Sequence, residues 1–411
     1  MAHNRIRSGN TKGGFLHPDL DYGGSSVVVA GDQIFMVGCT GLALGGKSFV
    51  GEGDPVAQAH QALSNVRVLL QEAGSKIEDI CMINVYTTDV SYVDLVYPVI
   101  ADYLKGVIPT NTSITVKALA ESYIDFEIDV WAVLPDDSKK GHHRVNVSNL
   151  GNNYLMKGLE FLTAGAVRAN DHIFLQGQTG LSLDGSYFVG EKDPASQAHQ
   201  AMSNVKELLF LAGGTLSDIC KVTTYVKDPM VRPMVYPVIA EHLKGVCPVS
   251  TGVVVKSLSF ETCDFQIDVF ANIAQNKNRG HERLRISDPN YLPDVDYPLS
   301  KVVLAGDGIF LQGQTGIDLD GQGFVGNGDP VSQAEKAMQN VEQLLKEAGS
   351  DLSDICKVTT YIPDHSHRKL IYPVIGQYLK GVHPASTGIV PMALANTEVD
   401  FEIDVFAVKS G

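Results

Sequence analysis

The side chains best suited to chemistry lie in three acidic segments that recur along the chain. They read IDFEIDV around Glu127, CDFQIDV around Gln266 and VDFEIDV around Glu402. If each segment is a β-strand, alternation places its acids on one face and its apolar side chains on the other. A carboxylate in a partly desolvated cleft can orient water or transfer a proton. The flanking aspartates, such as Asp129, are interpreted as a solvent-facing strand edge. Gln266 cannot ionise, so at most two sites keep the acid.

The whole chain repeats itself three times. VYPVIADYLKGV at 96–107 returns as VYPVIAEHLKGV at 235–246 and as IYPVIGQYLKGV at 371–382, with spacings of 139 and 136 residues. Repeats of this length can each bury a core, which indicates fused domains and not a solenoid. We expect domains at 1–138, 139–277 and 278–411.

Each copy predicts the same order of elements. Apolar β-branched runs predict strands, and Asp-Pro at Asp54, Asp193 and Asp329 predicts the N-cap and first residue of a helix. A second helix ends at Lys-Gly, and two strands follow it. The order β-β-β-α-β-α-β-β indicates an α+β fold with both helices on one face of a mixed sheet.

Composition excludes several classes of function. A net charge of −15 over 411 residues argues against binding to nucleic acid or to an anionic membrane. No stretch has the length of a transmembrane helix, and the first predicted strand leaves no room for a signal peptide, so a cytoplasmic location is expected. The six cysteines lack zinc-site spacing and are expected to be reduced. No metal or cofactor is predicted.

Several of these motifs together resemble the RidA/YjgF family of enamine/imine deaminases. They are the Asp-Pro helix, the NV-x-x-LL-x-x-AG run, a tyrosine twelve residues before a proline, and the closing E-I-D strand. The resemblance covers nearly the whole of each copy. It implies three chorismate-mutase-like domains that form a pseudo-trimer within one chain, with a small-molecule cleft between neighbouring domains. Further homo-oligomerisation stays open.

The resemblance also implies a set of site residues. It assigns the catalytic acid to Glu127 and Glu402 and a substrate-binding arginine to three positions that here hold Asn111, Ser250 and Ser386. An amide or a hydroxyl cannot replace a guanidinium fork, so a standard iminoacid deaminase is not expected. The remaining substrate contacts that it implies are Thr112, Ser113, Thr251, Gly252, Gln266, Thr387, Gly388, and the aromatic residues Tyr22 and Tyr297.

An arginine recurs near the first strand of each copy, at Arg5, Arg144 and Arg283. These arginines could substitute for the missing one, but the favoured interpretation is that they are solvated surface residues. Three functions remain open. The first is an enzyme acting on an imine, an enamine or a related small molecule. The second is a binding protein that has lost the chemistry. The third and weakest is a ring-opening amidohydrolase, which needs a serine–lysine pair that the sequence does not display.

Overall fold

The computed structural model describes residues 3–6, 24–44, 46, 48–136, 141–146, 163–258, 260–274, 280–287, 298–321 and 323–410. These residues form three domains of the same topology. The first contains β1 (Asn4–Ile6), β2 (Val27–Ala30), β3 (Gln33–Met36), α1 (Pro55–Glu72), β4 (Ile80–Thr87), α2 (Ser91–Tyr103), β5 (Thr110–Thr115) and β6 (Phe126–Val133).

The other two domains repeat this order. The second contains β7 (His143–Val145), β8 (Ala166–Ala169), β9 (His172–Leu175), α3 (Pro194–Leu211), β10 (Ile219–Val226), α4 (Arg232–His242), β11 (Val249–Val254) and β12 (Phe265–Asn272). The third contains β13 (Glu282–Leu284), β14 (Val302–Ala305), β15 (Gly308–Leu311), α5 (Pro330–Glu347), β16 (Ile355–Tyr361), α6 (Arg368–Tyr378), β17 (Ala385–Ile389) and β18 (Glu402–Val408). Within the described residues, no helix is both long and apolar enough to cross a bilayer.

The predicted helix starts are confirmed at α1, α3 and α5. The Asp54 carboxylate accepts hydrogen bonds from the backbone N–H groups of Val56 and Ala57, at 3.0 and 3.1 Å. Asp193 and Asp329 cap the equivalent helices in the same way. Each cap satisfies N–H groups that have no partner within the helix, while proline occupies the first position, where its missing N–H costs nothing.

Each sheet has six strands, and the first has the order β1-β2-β3-β6-β4-β5. The β4–β5 pair is parallel and its crossover is α2, whereas β4–β6 and β3–β6 are antiparallel. The α+β prediction with a mixed sheet is therefore correct. The acidic strand β6 lies between β3 and β4, in the middle of the sheet, and this position corrects the expectation of a strand edge.

The two faces of each sheet are covered differently. On β6, Phe126, Ile128 and Val130 face the domain's own helices and are at most 1% exposed. The intervening side chains, including Trp131, face the other two domains. This alternation matches the predicted separation of apolar and acidic positions, but both faces are buried.

Three aromatic rings, one from each domain, meet on the central axis of the chain. Trp131 lies 5.0 Å from Phe270 and 4.7 Å from Phe406, and these two phenylalanines are 5.4 Å apart, measured between ring centroids. Such tilted and edge-to-face contacts are the favoured geometry for aromatic packing. The three domains therefore close into the predicted pseudo-trimer.

The first-strand arginines help to close this ring. Arg144 donates hydrogen bonds to the carbonyl oxygens of Glu78, Ile80 and Ile108 in the preceding domain, at 2.7 to 3.0 Å. Arg5 and Arg283 make equivalent bonds at the other two junctions. The favoured interpretation of these arginines as solvated is wrong. They join domains, and their guanidinium groups are committed to backbone carbonyls.

Replacing Phe406 with alanine tests the importance of the axial rings. We expect the free energy of unfolding to fall by about 3–5 kcal/mol, because a buried aromatic ring is lost and a cavity remains. Urea unfolding followed by circular dichroism measures this change. Tyr187→Ala is the control, since Tyr187 is 56% exposed. Equal effects of the two substitutions would show that the axial contact contributes little.

Candidate functional site

Three equivalent sites lie where the edge strand of one domain meets the turn after the third strand of the next. At each one, a glycine N–H donates to a backbone carbonyl across the junction: Gly38 to Ser386, Gly177 to Asn111, and Gly313 to Ser250, at 3.3 to 3.4 Å. We name these the 3/1, 1/2 and 2/3 interfaces after the domains that they join. Asn111, Ser250 and Ser386 therefore lie at contacts between domains.

The candidate acids lie directly against these glycines. Glu127 at the 3/1 interface is 4% exposed, and Glu402 at the 2/3 interface is 5% exposed. A β-carbon on Gly38 would overlap the Glu127 carboxyl group and would lie 3.0 Å from Thr387 Oγ1. Gly313 has the same relation to Glu402 and Thr251. Glycine is required here because the carboxyl group and the hydroxyl group approach the backbone so closely.

A buried ion pair accompanies each acid. At the 3/1 interface, Lys357 Nζ donates to Asp129 Oδ1 at 3.0 Å, to Thr387 Oγ1 at 3.0 Å and to the carbonyl oxygen of Met36 at 2.7 Å. Thr387 Oγ1 in turn donates to Asp129 Oδ1 at 2.5 Å. All three donors of the ammonium group are used. The cluster therefore joins two domains and fixes the threonine beside Glu127.

The 2/3 interface repeats the cluster with Lys221, Thr251 and Asp404. Lys221 Nζ is 3.0 Å from both Thr251 Oγ1 and Asp404 Oδ1, and it also donates to the Leu311 carbonyl oxygen. A hydroxyl beside a lysine is the pair that the amidohydrolase alternative lacked. Here the threonine is 1% exposed, and its hydroxyl group donates a hydrogen bond to Asp404 Oδ1. The geometry fits a structural pair better than a nucleophile.

The environment of the acids raises their pKa. Burial raises the pKa of Glu127 to about 8, the negative charge of Asp129 adds to this, and Lys357 and Arg368 oppose it. Glu402 also has a pKa of about 8, for the same reasons, with Asp404, Lys221 and Arg232 as neighbours. Both carboxyl groups are therefore protonated at neutral pH. A carboxylic acid in this state can donate a proton to a bound molecule.

An arginine accompanies both acids, but it comes from a helix and not from the strand predicted by resemblance. Arg232 begins α4 and Arg368 begins α6, and they are 8% and 3% exposed. A β-carbon on Gly388 would lie 2.9 Å from Arg368 Nη2, which places the guanidinium beside the edge strand. The strand positions themselves hold Asn111, Ser250 and Ser386, as the sequence shows.

At the 1/2 interface, uncharged residues occupy the positions of the lysine, the arginine and the glutamate. Met82 occupies the lysine position, Val93 the arginine position and Gln266 the acid position. Asn111 Nδ2 donates to Tyr97 Oη at 2.7 Å, and Ser113 also bonds to that tyrosine. At the other two interfaces, a serine in place of Gly252 or Gly388 would collide with the equivalent tyrosine hydroxyl. The interfaces are therefore of two chemical kinds.

The 1/2 interface keeps the buried aspartate, with Met82 in the position of the lysine. Asp268 is 1% exposed and accepts a hydrogen bond from Thr112 Oγ1 at 2.7 Å. Burial raises its pKa to about 7, although the hydrogen bonds from Thr112, Gln266 and Tyr225 lower it. The prediction that these aspartates face solvent is wrong at all three interfaces: Asp129, Asp268 and Asp404 are at most 2% exposed.

The residues that follow the three interface glycines are Cys39, Gln178 and Gln314. The side chains of Gln178 and Gln314 donate to backbone carbonyls two residues away, and Cys39 is buried. Tyr22 and Tyr297 lie outside the described residues. Sequence reasoning missed Lys221, Lys357, Arg232 and Arg368. The available signal was the lysine in the strand sequence ICKVTTY and an arginine at a helix start, both replaced by apolar residues in the first copy.

Lys357→Met tests the ion pair. We expect it to lower the free energy of unfolding by about 3–5 kcal/mol at pH 8, because Asp129 is left buried without its partner. Chemical denaturation at that pH measures this change. Adding Asp129→Asn should restore part of the stability; a double variant as unstable as Lys357→Met alone would contradict the assignment.

The raised pKa values predict a pH dependence of stability. Folding favours the protonated forms of Glu127 and Glu402, whose pKa rises from 4.5 to about 8. Their contribution is therefore complete below pH 4.5 and is lost as the pH rises through 8. We expect a variant with both glutamates changed to glutamine to lose less stability between pH 5 and pH 8.5 than the wild type. An unchanged slope in denaturation experiments would exclude these groups as its source.

Each of the three repeats matches a known protein family. Residues 20–134, 161–273 and 292–409 match the family described as Endoribonuclease L-PSP. A RutC family protein of Pyrococcus abyssi is 30% identical over 112 residues, which are 27% of this chain and 87% of that protein. The 2-iminobutanoate/2-iminopropanoate deaminase of Homo sapiens is 29% identical over 117 residues, covering 28% of this chain and 84% of that protein.

One solved structure resembles the chain as a whole. A chorismatase crystal structure aligns with 80% of this chain and 93% of its own, with a TM-score of 0.52 and 14% sequence identity. This likeness concerns the fold alone. The three matched segments cover most of the chain, and they show that it belongs to the RidA/YjgF (L-PSP) family, as three tandem copies in one polypeptide.

Proposed function

We propose that the chain is an enzyme that hydrolyses an imine, an enamine or a related small molecule at the 3/1 and 2/3 interfaces. The observation that carries this proposal is the state of Glu127 and Glu402. Each is a buried carboxyl group with a pKa of about 8, next to a threonine hydroxyl and near an arginine. A neutral acid in a desolvated site is suited to protonating a C=N group.

The chemistry can be written in three balanced steps. Glu127 donates its proton to the imine nitrogen, or to the carbon of an enamine, and an iminium ion forms. A water oxygen then bonds to the iminium carbon while the Glu127 carboxylate takes one of the water protons. Finally the C–N bond breaks, ammonia leaves with a proton from the new hydroxyl group, and a carbonyl compound remains. Glu127 thus acts first as an acid and then as a base.

The buried ion pair has a positioning role in this scheme. Lys357 and Asp129 fix the Thr387 hydroxyl group on the side of Gly38 that also carries the Glu127 carboxyl group. Rigid neighbours of this kind keep a reacting group in its productive geometry. Asp129 also raises the pKa of Glu127, which keeps the acid protonated.

Relatives named as 2-iminobutanoate/2-iminopropanoate deaminases support an imine as the substrate class. In this chain, the position where family resemblance implies an arginine holds an asparagine or a serine. We therefore propose a substrate that is oriented differently from the iminoacids of those relatives.

For the 1/2 interface, we favour the alternative of binding or packing without chemistry. Gln266 cannot transfer a proton, and Met82 and Val93 remove the neighbouring positive charges. We therefore propose two reactive sites per chain and not three.

The test measures ammonia released from imines that an amino-acid oxidase generates in the same solution. We expect Glu127→Gln and Glu402→Gln each to remove part of the activity and the double variant to lower kcat by about 100-fold or more, the range of general acid–base catalysis. The wild-type kcat should fall above about pH 8, as the acid ionises.

The chain itself supplies a reason to expect these variants to fold, because glutamine occupies the equivalent position at Gln266. Glu398→Gln, at an exposed position, is the matched control. If the double variant releases ammonia as fast as the control, Glu127 and Glu402 are not the catalytic acids and the proposal fails.

A further inference from the structure

The two helix-borne arginines differ in how their guanidinium groups are satisfied. Arg232 Nη1 donates to the carbonyl oxygens of Leu394 and Ala395, at 2.7 Å each, and Nη2 donates to the carbonyl oxygen of Gly252 at 3.0 Å. In contrast, Nε and Nη1 of Arg368 are buried and have no hydrogen-bond partner among the described residues. Arg232 Nε is likewise buried without a partner among the described residues. The difference therefore lies in Nη1, which has two acceptors in Arg232 and none in Arg368.

A single substitution between the repeats accounts for part of this difference. At the 3/1 interface, the carbonyl oxygen of Ala120 is 2.9 Å from His365 Nε2. Ala120 corresponds to Ala395, whose carbonyl oxygen Arg232 uses. The position of His365 is Pro229 in the second repeat, and proline offers no side-chain donor. The histidine therefore takes an acceptor that the arginine occupies elsewhere.

Arg368 is also held in place. Its guanidinium carbon lies 4.8 Å from the centroid of the Tyr372 ring, a cation–π distance, and a β-carbon on Gly388 would be 2.9 to 3.0 Å from Nη2 and Nη1. The residue is 3% exposed. A buried guanidinium with unused N–H donors is costly unless an acceptor completes it.

We propose that Arg368 binds the carboxylate of a small ligand at the 3/1 interface, so that each chain holds one such anion. This deepens the proposed function, because it places the ligand beside Glu127, but it rests on separate observations. Lys357 cannot serve, since Asp129, Thr387 and Met36 use all of its donors. One uncommitted positive charge matches a monoanion.

A phosphate group fits this site less well. The two negative charges of its dianion would face one uncommitted guanidinium group among the described residues, with the Asp129 carboxylate close by. The 1/2 interface offers Val93 at the arginine position and therefore has no cation for either anion. At the 2/3 interface, the bonds of Arg232 to three carbonyl oxygens would have to break first. A stoichiometry of one follows from these differences.

Calorimetric titration of the full chain tests the proposal without any turnover. The probes are 2-oxobutanoate, its uncharged relative 2-butanone, and inorganic phosphate. We expect one 2-oxobutanoate per chain, and at least tenfold weaker binding of both 2-butanone and phosphate. Arg368→Met should weaken 2-oxobutanoate binding about tenfold or more, because charge-assisted hydrogen bonds are lost. Lys369→Met, an exposed neighbour on α6, is the control and should bind as the wild type does.

Circular dichroism would reveal misfolding of Arg368→Met. A second variant tests the proposal in that case. His365→Ala should free the Ala120 carbonyl oxygen for Arg368 and so weaken 2-oxobutanoate binding. Two or three anions per chain, equal binding by the Arg368→Met variant, or tighter binding of phosphate would each overturn the proposal. Persistent one-to-one binding without ammonia release would instead remove the proposed hydrolysis and leave this inference standing.

Discussion

Each sheet of this protein has two faces that must be buried. Its own domain supplies only two helices, and both helices lie on the same face of the sheet. The second face must therefore be covered by the other domains. Trp131, Phe270 and Phe406 show how this is achieved, since each ring projects from its own sheet and packs against the other two. A lone domain would expose this apolar surface to water. The closed ring of three sheets follows from that constraint.

The same constraint determines the environment of the acidic side chains. Glu127 and Asp129 alternate with Trp131 along the inner face of β6, so closing the ring takes these carboxyl groups out of water. Desolvation costs less when a charge is paired, as Asp129 is with Lys357, or when a proton stays bound, as on Glu127. At the equivalent place, Asp268 has Met82 in the position of the lysine, and burial raises its pKa to about 7. The three interfaces thus differ in the partners that their buried carboxyl groups keep.

Local signals in the sequence predicted local structure well. The aspartate caps, the alternation in β6 and the three-domain organisation were all readable, because neighbours along the chain determine them. The burial of Asp129 could not be predicted in this way. It depends on the position of β6 between β3 and β4 and on a second domain that covers the sheet. The sequence also contains one signal of a contact between domains. Repeat one lacks the lysine and the arginine, and repeat two lacks the glutamate. This pattern is explained if the edge strand of repeat one packs against the glutamate position of repeat two.

The three interfaces also differ in how far apart their partners lie in the chain. Thr112 and Asp268 are 156 residues apart, and Thr251 and Asp404 are 153 apart, but Thr387 and Asp129 are separated by 258. Domains generally fold in order as a chain emerges from the ribosome. The 1/2 interface can then assemble during synthesis, whereas Glu127 must wait for the last strands of the third domain. The surroundings of Glu127 are therefore complete only in the finished ring, and an interrupted translation product would lack them.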